Sequence, residues 1–217
     1  YSLNSSYKNF YTEILLFAQG ITKNGDGKKG LTHYWAALAL LRGVMSSPQA
    51  GLEMLKARRL KKLELDYVVE ENPLFSSEEG GSDLVETDLI EQLDLQSEDV
   101  VVIDKLIAQI EQLMSLSNDQ KANLAVKQVQ EWVKKGVYPI IFCRYIATAK
   151  YLGNLIKKAL PNNIDVQTIT SEFADEQRKE MIDVMGKSDK RVLIATDCLS
   201  EGINLQEHFT AVLHYDL

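Results

Sequence analysis

Val192-Leu193-Ile194-Ala195-Thr196-Asp197, followed by Cys198-Leu199-Ser200-Glu201-Gly202-Ile203-Asn204-Leu205, is the stretch whose reading decides the fold. A run suited to a buried strand passes into a turn carrying a hydroxyl, two carboxylates, a glycine and an amide. In an open α/β sheet, a polar loop at a strand end lies where ligands sit. Thr196 can bond a phosphate oxygen, Gly202 permits close backbone approach, and Asn204 can bond a ribose hydroxyl.

Outward from this stretch, strands and helices alternate from Val137 onward, the pattern of a parallel sheet. Strands are expected at Pro139–Cys143, Ile164–Thr170, Val192–Thr196 and Ala211–Tyr215, with helices at Ala147–Leu160 and Asp175–Met185. Right-handed crossovers place all strand carboxyl ends on one edge. Cys143-Arg144, Thr170-Ser171 and Thr196-Asp197 then converge there.

The preceding half reads as helices. Phe10, Ile14 and Phe17 are spaced for an amphipathic helix over Tyr7–Gln19. Leu31–Met45 is a second, with Tyr34, Trp35, Leu38, Leu41 and Met45 as its apolar stripe. Ser47 caps a third, with Pro48 at its first position. Its basic run, Lys56, Arg58, Arg59, Lys61 and Lys62, suits either the helix dipole or a phosphate-contacting face. Val100–Leu116 and Gln120–Lys135 complete the helical set, with Leu124, Val129, Trp132 and Val133 turned inward in the last.

The net charge of −7 is unevenly spread. Residues 64–112 carry −14, which leaves +7 on the rest. The chain reads as a basic body with an acidic insert, permissive for nucleic acid. The composition, 45% hydrophobic and 25% charged, is that of a soluble globular protein. No membrane span or signal peptide is visible. Cys143 and Cys198 imply free thiols in a reducing compartment, hence a cytoplasmic location. The start at Tyr1 implies a piece of a longer protein. The Asn24-Gly25-Asp26-Gly27 loop lacks the acid a calcium loop needs at its last position. His33, His208 and His214 form no metal or nucleophile grouping, so no metal site is expected. No Gly-x-x-x-x-Gly-Lys-[Ser/Thr], Gly-x-Gly-x-x-Gly or Gly-x-Ser-x-Gly is present.

Taken in order, the pieces resemble superfamily 2 helicases, in the form of the bacterial Swi/Snf-type members. Pro139–Cys143 with Arg144-Tyr145-Ile146-Ala147-Thr148 is similar to motif IV. Thr170–Glu180 is similar to the stretch that carries motif IVa, and Val192–Gln206 to motif V. His214-Tyr215-Asp216-Leu217 resembles the strand that follows. Leu41–Ala50 is similar to a helix break of the bacterial members. The resemblance implies a RecA-like parallel sheet flanked by helices and preceded by an all-helical segment. It implies a helical protrusion and linker over 1–116, with an acidic mobile segment at about 64–99, and a partial C-terminal RecA-like domain over 117–217, ending before motif VI.

Carried over residue by residue, Thr196, Arg178 and Arg144 would contact nucleic acid. Glu201, Gly202 and Asn204 would face an ATP cleft, and Asp197 would organise the loop. The Walker lysine, the acidic metal-binding motif and the motif VI arginine are not in this sequence. Those groups neutralise transition-state charge in phosphoryl transfer, so no catalytic residue is expected here and the chain alone should be inactive. ATP and magnesium would belong to the full-length enzyme only. The implied partners are DNA, with RNA not excluded, and an N-terminal RecA-like lobe of the same polypeptide. The alternative reading is a non-enzymatic protein-interaction module on a RecA- or Rossmann-like scaffold.

Overall fold

A computed structural model of the chain describes residues 2–23, 28–65, 97–115, 117–199 and 204–216, with backbone alone at 28–32, 61–65 and 97–98. These residues form two compact units, Ser2–Asp119 and Gln120–Leu217.

The first unit is helical: α1 (Ser5–Lys23), α2 (Lys28–Ser46), α3 (Pro48–Leu65) and α4 (Ser97–Leu113). α1 packs on α2 and α4, and α3 packs on the same two, so the four helices close a ring. Ile14, Leu40, Leu55, Ile103 and Ile110 are fully buried at its centre. Each such side chain contributes about 1.5–3 kcal/mol by leaving water. The expected acidic mobile segment lies mostly outside the described residues. Its ends are corrected: residues 64–65 finish α3, and 97–99 are the first turn of α4.

The expected stripe of α2 is out of phase. Tyr34 and Trp35 are 53% and 46% exposed, whereas Ala37, Leu40 and Val44 are buried. The cause is close approach. A Cβ on Gly43 would stand 2.3 Å from the Met54 sulfur, and one on Gly51 would stand 2.7 Å from Val44 and 2.8 Å from Ile110. Helices this near bury small residues, and the large aromatics turn outward. Likewise, Leu124 of the next unit is half-exposed, while Ala122, Val126 and Val129 are buried.

The corner between α2 and α3 is made by one residue. Ser47 donates to Gly43 O as the end of α2, and its hydroxyl accepts from Ala50 N at 3.1 Å as the cap of α3. A helix end leaves carbonyls without partners, and Pro48 has no N–H to offer Val44 O. The Tyr7 hydroxyl donates to that carbonyl at 2.7 Å.

The basic run of α3 is largely absorbed by the unit itself. Lys56 pairs with Glu111 at 2.9 Å, and Arg59 pairs with Asp104. Arg58 is 3% exposed, with its guanidinium 5.2 Å from the centre of the Phe17 ring. Burial lowers its pKa to about 10, and the nearby Asp99 opposes the shift. Lys61 and Lys62 side chains lie outside the described residues.

The second unit is α/β. α5 (Gln120–Lys134) leads to β1 (Pro139–Phe142), α6 (Ile146–Ala159), β2 (Asp165–Ile169), α7 (Asp175–Gly186), β3 (Arg191–Ala195) and β4 (Ala211–His214). α5 stops at Gly136, whose φ of 76° lets Val137 N reach back to Trp132 O at 2.9 Å, a left-handed glycine cap. The strands are parallel in the order β2-β3-β1-β4. Each lies within about one residue of its expected position, because buried parallel strands are continuous apolar runs. One face of the sheet, with Ile140, Ile169 and Leu193, packs on Ile182 and Met185 of α7. The other face meets α6 so closely that a Cβ on Gly153 would stand 2.1 Å from the Thr168 hydroxyl.

Candidate functional site

The strand carboxyl ends are stitched into one edge by backbone hydrogen bonds. Cys143 N donates to Ala195 O at 2.8 Å, Thr196 N to Ile169 O at 3.3 Å, and Tyr215 N to Phe142 O at 2.9 Å. The loops after β1, β2 and β3 therefore share a rim, as right-handed crossovers require.

After β1, Arg144 is exposed, with its guanidinium carbon 5.9 Å from the Tyr145 ring centre. Its backbone N donates to Asp216 Oδ2 at 3.0 Å, and Lys121 Nζ holds Asp216 Oδ1 at 2.7 Å. The Lys121 and Asp216 side chains are only 15% and 9% exposed, and Lys121 also lies 4.0 Å over the Tyr215 ring. This buried pair ties α5, the end of β1 and the end of β4 together. The amino end of α6 opens on the same rim with no side-chain cap at Tyr145. Its dipole favours an anion there. Burial, helped by Asp216 and opposed by Lys121, pushes the Cys143 thiol far up. Burial therefore disfavours its thiolate.

After β2, Thr170 is buried, and its hydroxyl donates to Glu172 at 3.0 Å. Lys150 of α6 also holds Glu172, at 2.7 Å. The Lys150 ammonium, then Thr170, keep that carboxyl below its ordinary range, against the effect of burial. Arg178, one turn into α7, pairs with Asp175.

After β3, Thr196 is 2% exposed, and its hydroxyl points at Cys198 Sγ, 3.4 Å away. Asp197 begins a short 3-10 turn and is exposed. Asn204 is exposed, and its amide donates to Glu207 at 2.7 Å. Glu201 and Gly202 lie outside the described residues. The structure thus places Arg144, Thr196 and Asp197 on or beside the rim, with Arg178 on the helix that follows the β2 loop and Asn204 bonded to Glu207 in the loop before β4.

Arg191 was not singled out by its sequence, yet it fixes the far end of the connection between β3 and β4. Its Nε donates to His208 O at 2.7 Å, and its Nη1 to Ser188 O at 2.7 Å and Gly186 O at 3.3 Å. The guanidinium lies 4.1 Å over the Tyr138 ring. Nothing in spacing announces such a tie, nor the Lys121–Asp216 pair, because the partners are set by the fold. The charge map sharpens at the same time. The +7 outside the acidic segment sits on residues 1–63, with ten basic and three acidic residues, while 120–217 has thirteen and twelve. The expected basic body is therefore the helical half, and the sheet unit is nearly neutral.

Residues 120–217 match the family of the helicase conserved C-terminal domain. The chain is 32% identical over 78 residues to eukaryotic initiation factor 4A of Dictyostelium discoideum, covering 36% of this chain and 18% of that protein. It is equally similar to DEAD-box ATP-dependent RNA helicase 13 of Arabidopsis thaliana, covering 36% of this chain and 9% of that protein. Among solved structures, the Hef helicase domain of Pyrococcus furiosus matches with a TM-score of 0.57 at 14% identity, over 98% of this chain and 47% of that one. The matched stretch is thus under a fifth of the length of these curated relatives. The sheet unit is thus similar to the helicase conserved C-terminal domain, and its fold is the RecA-like one. No helix among the described residues is long and apolar enough to cross a membrane.

Proposed function

We propose that the chain is the helical insert and second lobe of an ATP-dependent DNA translocase of the Swi/Snf type. In this reading the lobe couples an ATP cleft, shared with a first RecA-like lobe of the same polypeptide, to the nucleic-acid backbone. The observation that carries it is the shared rim of three polar strand-end loops within a domain matched by the helicase family. Arg144, Arg178 and Thr196 are assigned to phosphates, and Glu201, Gly202 and Asn204 to the nucleotide side, with Asp197 organising the turn between them. Thr196 is buried, so its hydroxyl must become exposed before it reaches a phosphate. Arg178 exchanges Asp175 for a phosphate.

Among the described residues no group of three or more His, Cys, Asp or Glu is placed to hold a metal ion. In this reading the magnesium and the catalytic groups for hydrolysis belong to the other lobe and to downstream sequence. A cytoplasmic location accompanies this reading.

Two measurements test it. The purified chain should show no ATP turnover, whereas a polypeptide with both lobes should hydrolyse ATP faster when DNA is added; turnover by the chain alone would sink the reading. Fluorescence anisotropy with matched DNA and RNA should show binding that weakens steeply as salt rises, because phosphates dominate the contacts. One of the curated relatives is named as an RNA helicase, so a clear RNA preference would move the substrate to RNA and leave the motor assignment standing.

A further inference from the structure

β2 is an edge strand among the described residues, pairing with β3 and with nothing on its other side. Asp165 N donates to Lys190 O, and Ile169 O accepts from Thr196 N. Residues 165 and 169 thus turn their backbone groups toward β3. Backbone groups alternate in direction along a strand, so those of Val166 and Thr168 point out of the sheet. Two N–H and two C=O groups stand there in the arrangement an added strand requires.

Beside this edge runs a groove with a cavity of about 370 Å³. Asp165 and Gln167 of β2 form its floor, and Glu180, Met181 and Val184 of α7 form one wall, with Phe173 at its end. Val184 is 56% and Phe173 36% exposed, so two large apolar groups face open space along the strand. The ionisable groups of the lining, Asp165 and Glu180, are both acidic. Gln167 and Ser188 hydrogen-bond Asp165, but neither neutralises it. A second copy pairing through the same edge would set these carboxylates against their own kind.

We propose that the β2 edge and this groove take up an extended peptide of a partner protein, one that alternates apolar and basic residues. It adds as a further strand, its backbone bonded to Val166 and Thr168, an apolar side chain seated between Phe173 and Val184, and a lysine or arginine beside Asp165 and Glu180. Strand addition draws affinity from the main chain and specificity from alternate side-chain pockets. This site lies along β2 and α7, apart from the rim assigned to nucleotide and nucleic acid.

The test uses the whole chain and synthetic peptides of about nine residues, a length suited to one strand, alternating valine with lysine or valine with glutamate. Calorimetry should show saturable binding of the lysine peptide, at least about tenfold tighter than the glutamate one. Val184→Asn should weaken binding about tenfold, while Leu124→Asn, at an exposed position of α5, should not. Both are surface changes and leave the fold intact. Amide exchange at Val166 and Thr168 should slow when the peptide is bound. Equal binding of both peptides, unchanged exchange at those two amides, or unchanged affinity in Val184→Asn would each overturn the proposal. So would dimerisation of the free chain that Val184→Asn abolishes, since the occupant would then be a second copy.

Discussion

Each unit buries an arginine, and the two are held by opposite means. Arg191 is 8% exposed and gives its N–H groups to three carbonyls, at Gly186, Ser188 and His208. Arg58 is 3% exposed and lies on the Phe17 ring, with no hydrogen-bond partner for its Nε and Nη1 among the described residues. The first fastens chain segments that no helix or strand ladder joins. The second fills a space between helices already held by their own ladders. Burial of a cation is therefore no measure of its importance; the groups it would leave unpaired are.

The sharpest way to break this contrast is to replace both arginines by methionine. Arg191→Met leaves three carbonyls without donors and should cost about 3–5 kcal/mol in urea unfolding of the sheet unit. Arg58→Met removes a charge that burial penalises but also takes a cation from beside Asp99, so its cost should be well below that of Arg191→Met, about 1 kcal/mol or less. Equal losses would end the distinction. Next in size is Lys121→Met, which leaves Asp216 at the end of β4 without this cation and should cost about 2–4 kcal/mol by the same measurement. Removing both partners should recover much of that.

The glycine contacts come next. Gly51→Ala drives a methyl into Val44 and Ile110, side chains on two different helices, and should cost about 2–3 kcal/mol. Gly153→Ala meets a hydroxyl that can rotate away, so it should cost about 1 kcal/mol and be rescued by Thr168→Ala. A smaller effect belongs to Glu172, whose carboxyl Lys150 holds below its ordinary range. Its stabilisation is present above the unfolded carboxylate range and fades as pH falls through the lower folded value. Melting temperatures below pH 5 should therefore fall less steeply in Glu172→Gln than in the parent. Smallest is Lys56→Ala, where an exposed pair contributes about 0.5 kcal/mol.

The same contrast explains what the sequence could show. The sheet was legible because buried parallel strands are unbroken apolar runs between turn residues, and Pro139–Phe142 and Arg191–Ala195 fall where Pro-Ile-Ile-Phe and Val-Leu-Ile-Ala announce them. The phase of α2 was not legible, because helices that touch at Gly43 and Gly51 bury alanine and expose Tyr34 and Trp35. Of the basic run, Lys56, Arg58 and Arg59 are taken up inside the unit, which only tertiary contacts reveal. At the rim, the residue types of Thr196 and Arg144 suggested polar contacts. The depth of Thr196, and the hold of Asp216 on the loop after β1, came from strands brought together out of sequence order.

The Ser47 corner has a consequence for how this chain can vary. Two helices meet there with no intervening loop, and Tyr7 supplies the donor that proline lacks. A loop absorbs an extra residue as slack, but this corner has none. One residue inserted after Ser47 would turn all of α3 by about 100° about its axis. Leu55 and Arg58 would leave the interior together, and the ion pairs of Lys56 and Arg59 would lose their register. This joint should therefore keep its length even where its residues vary.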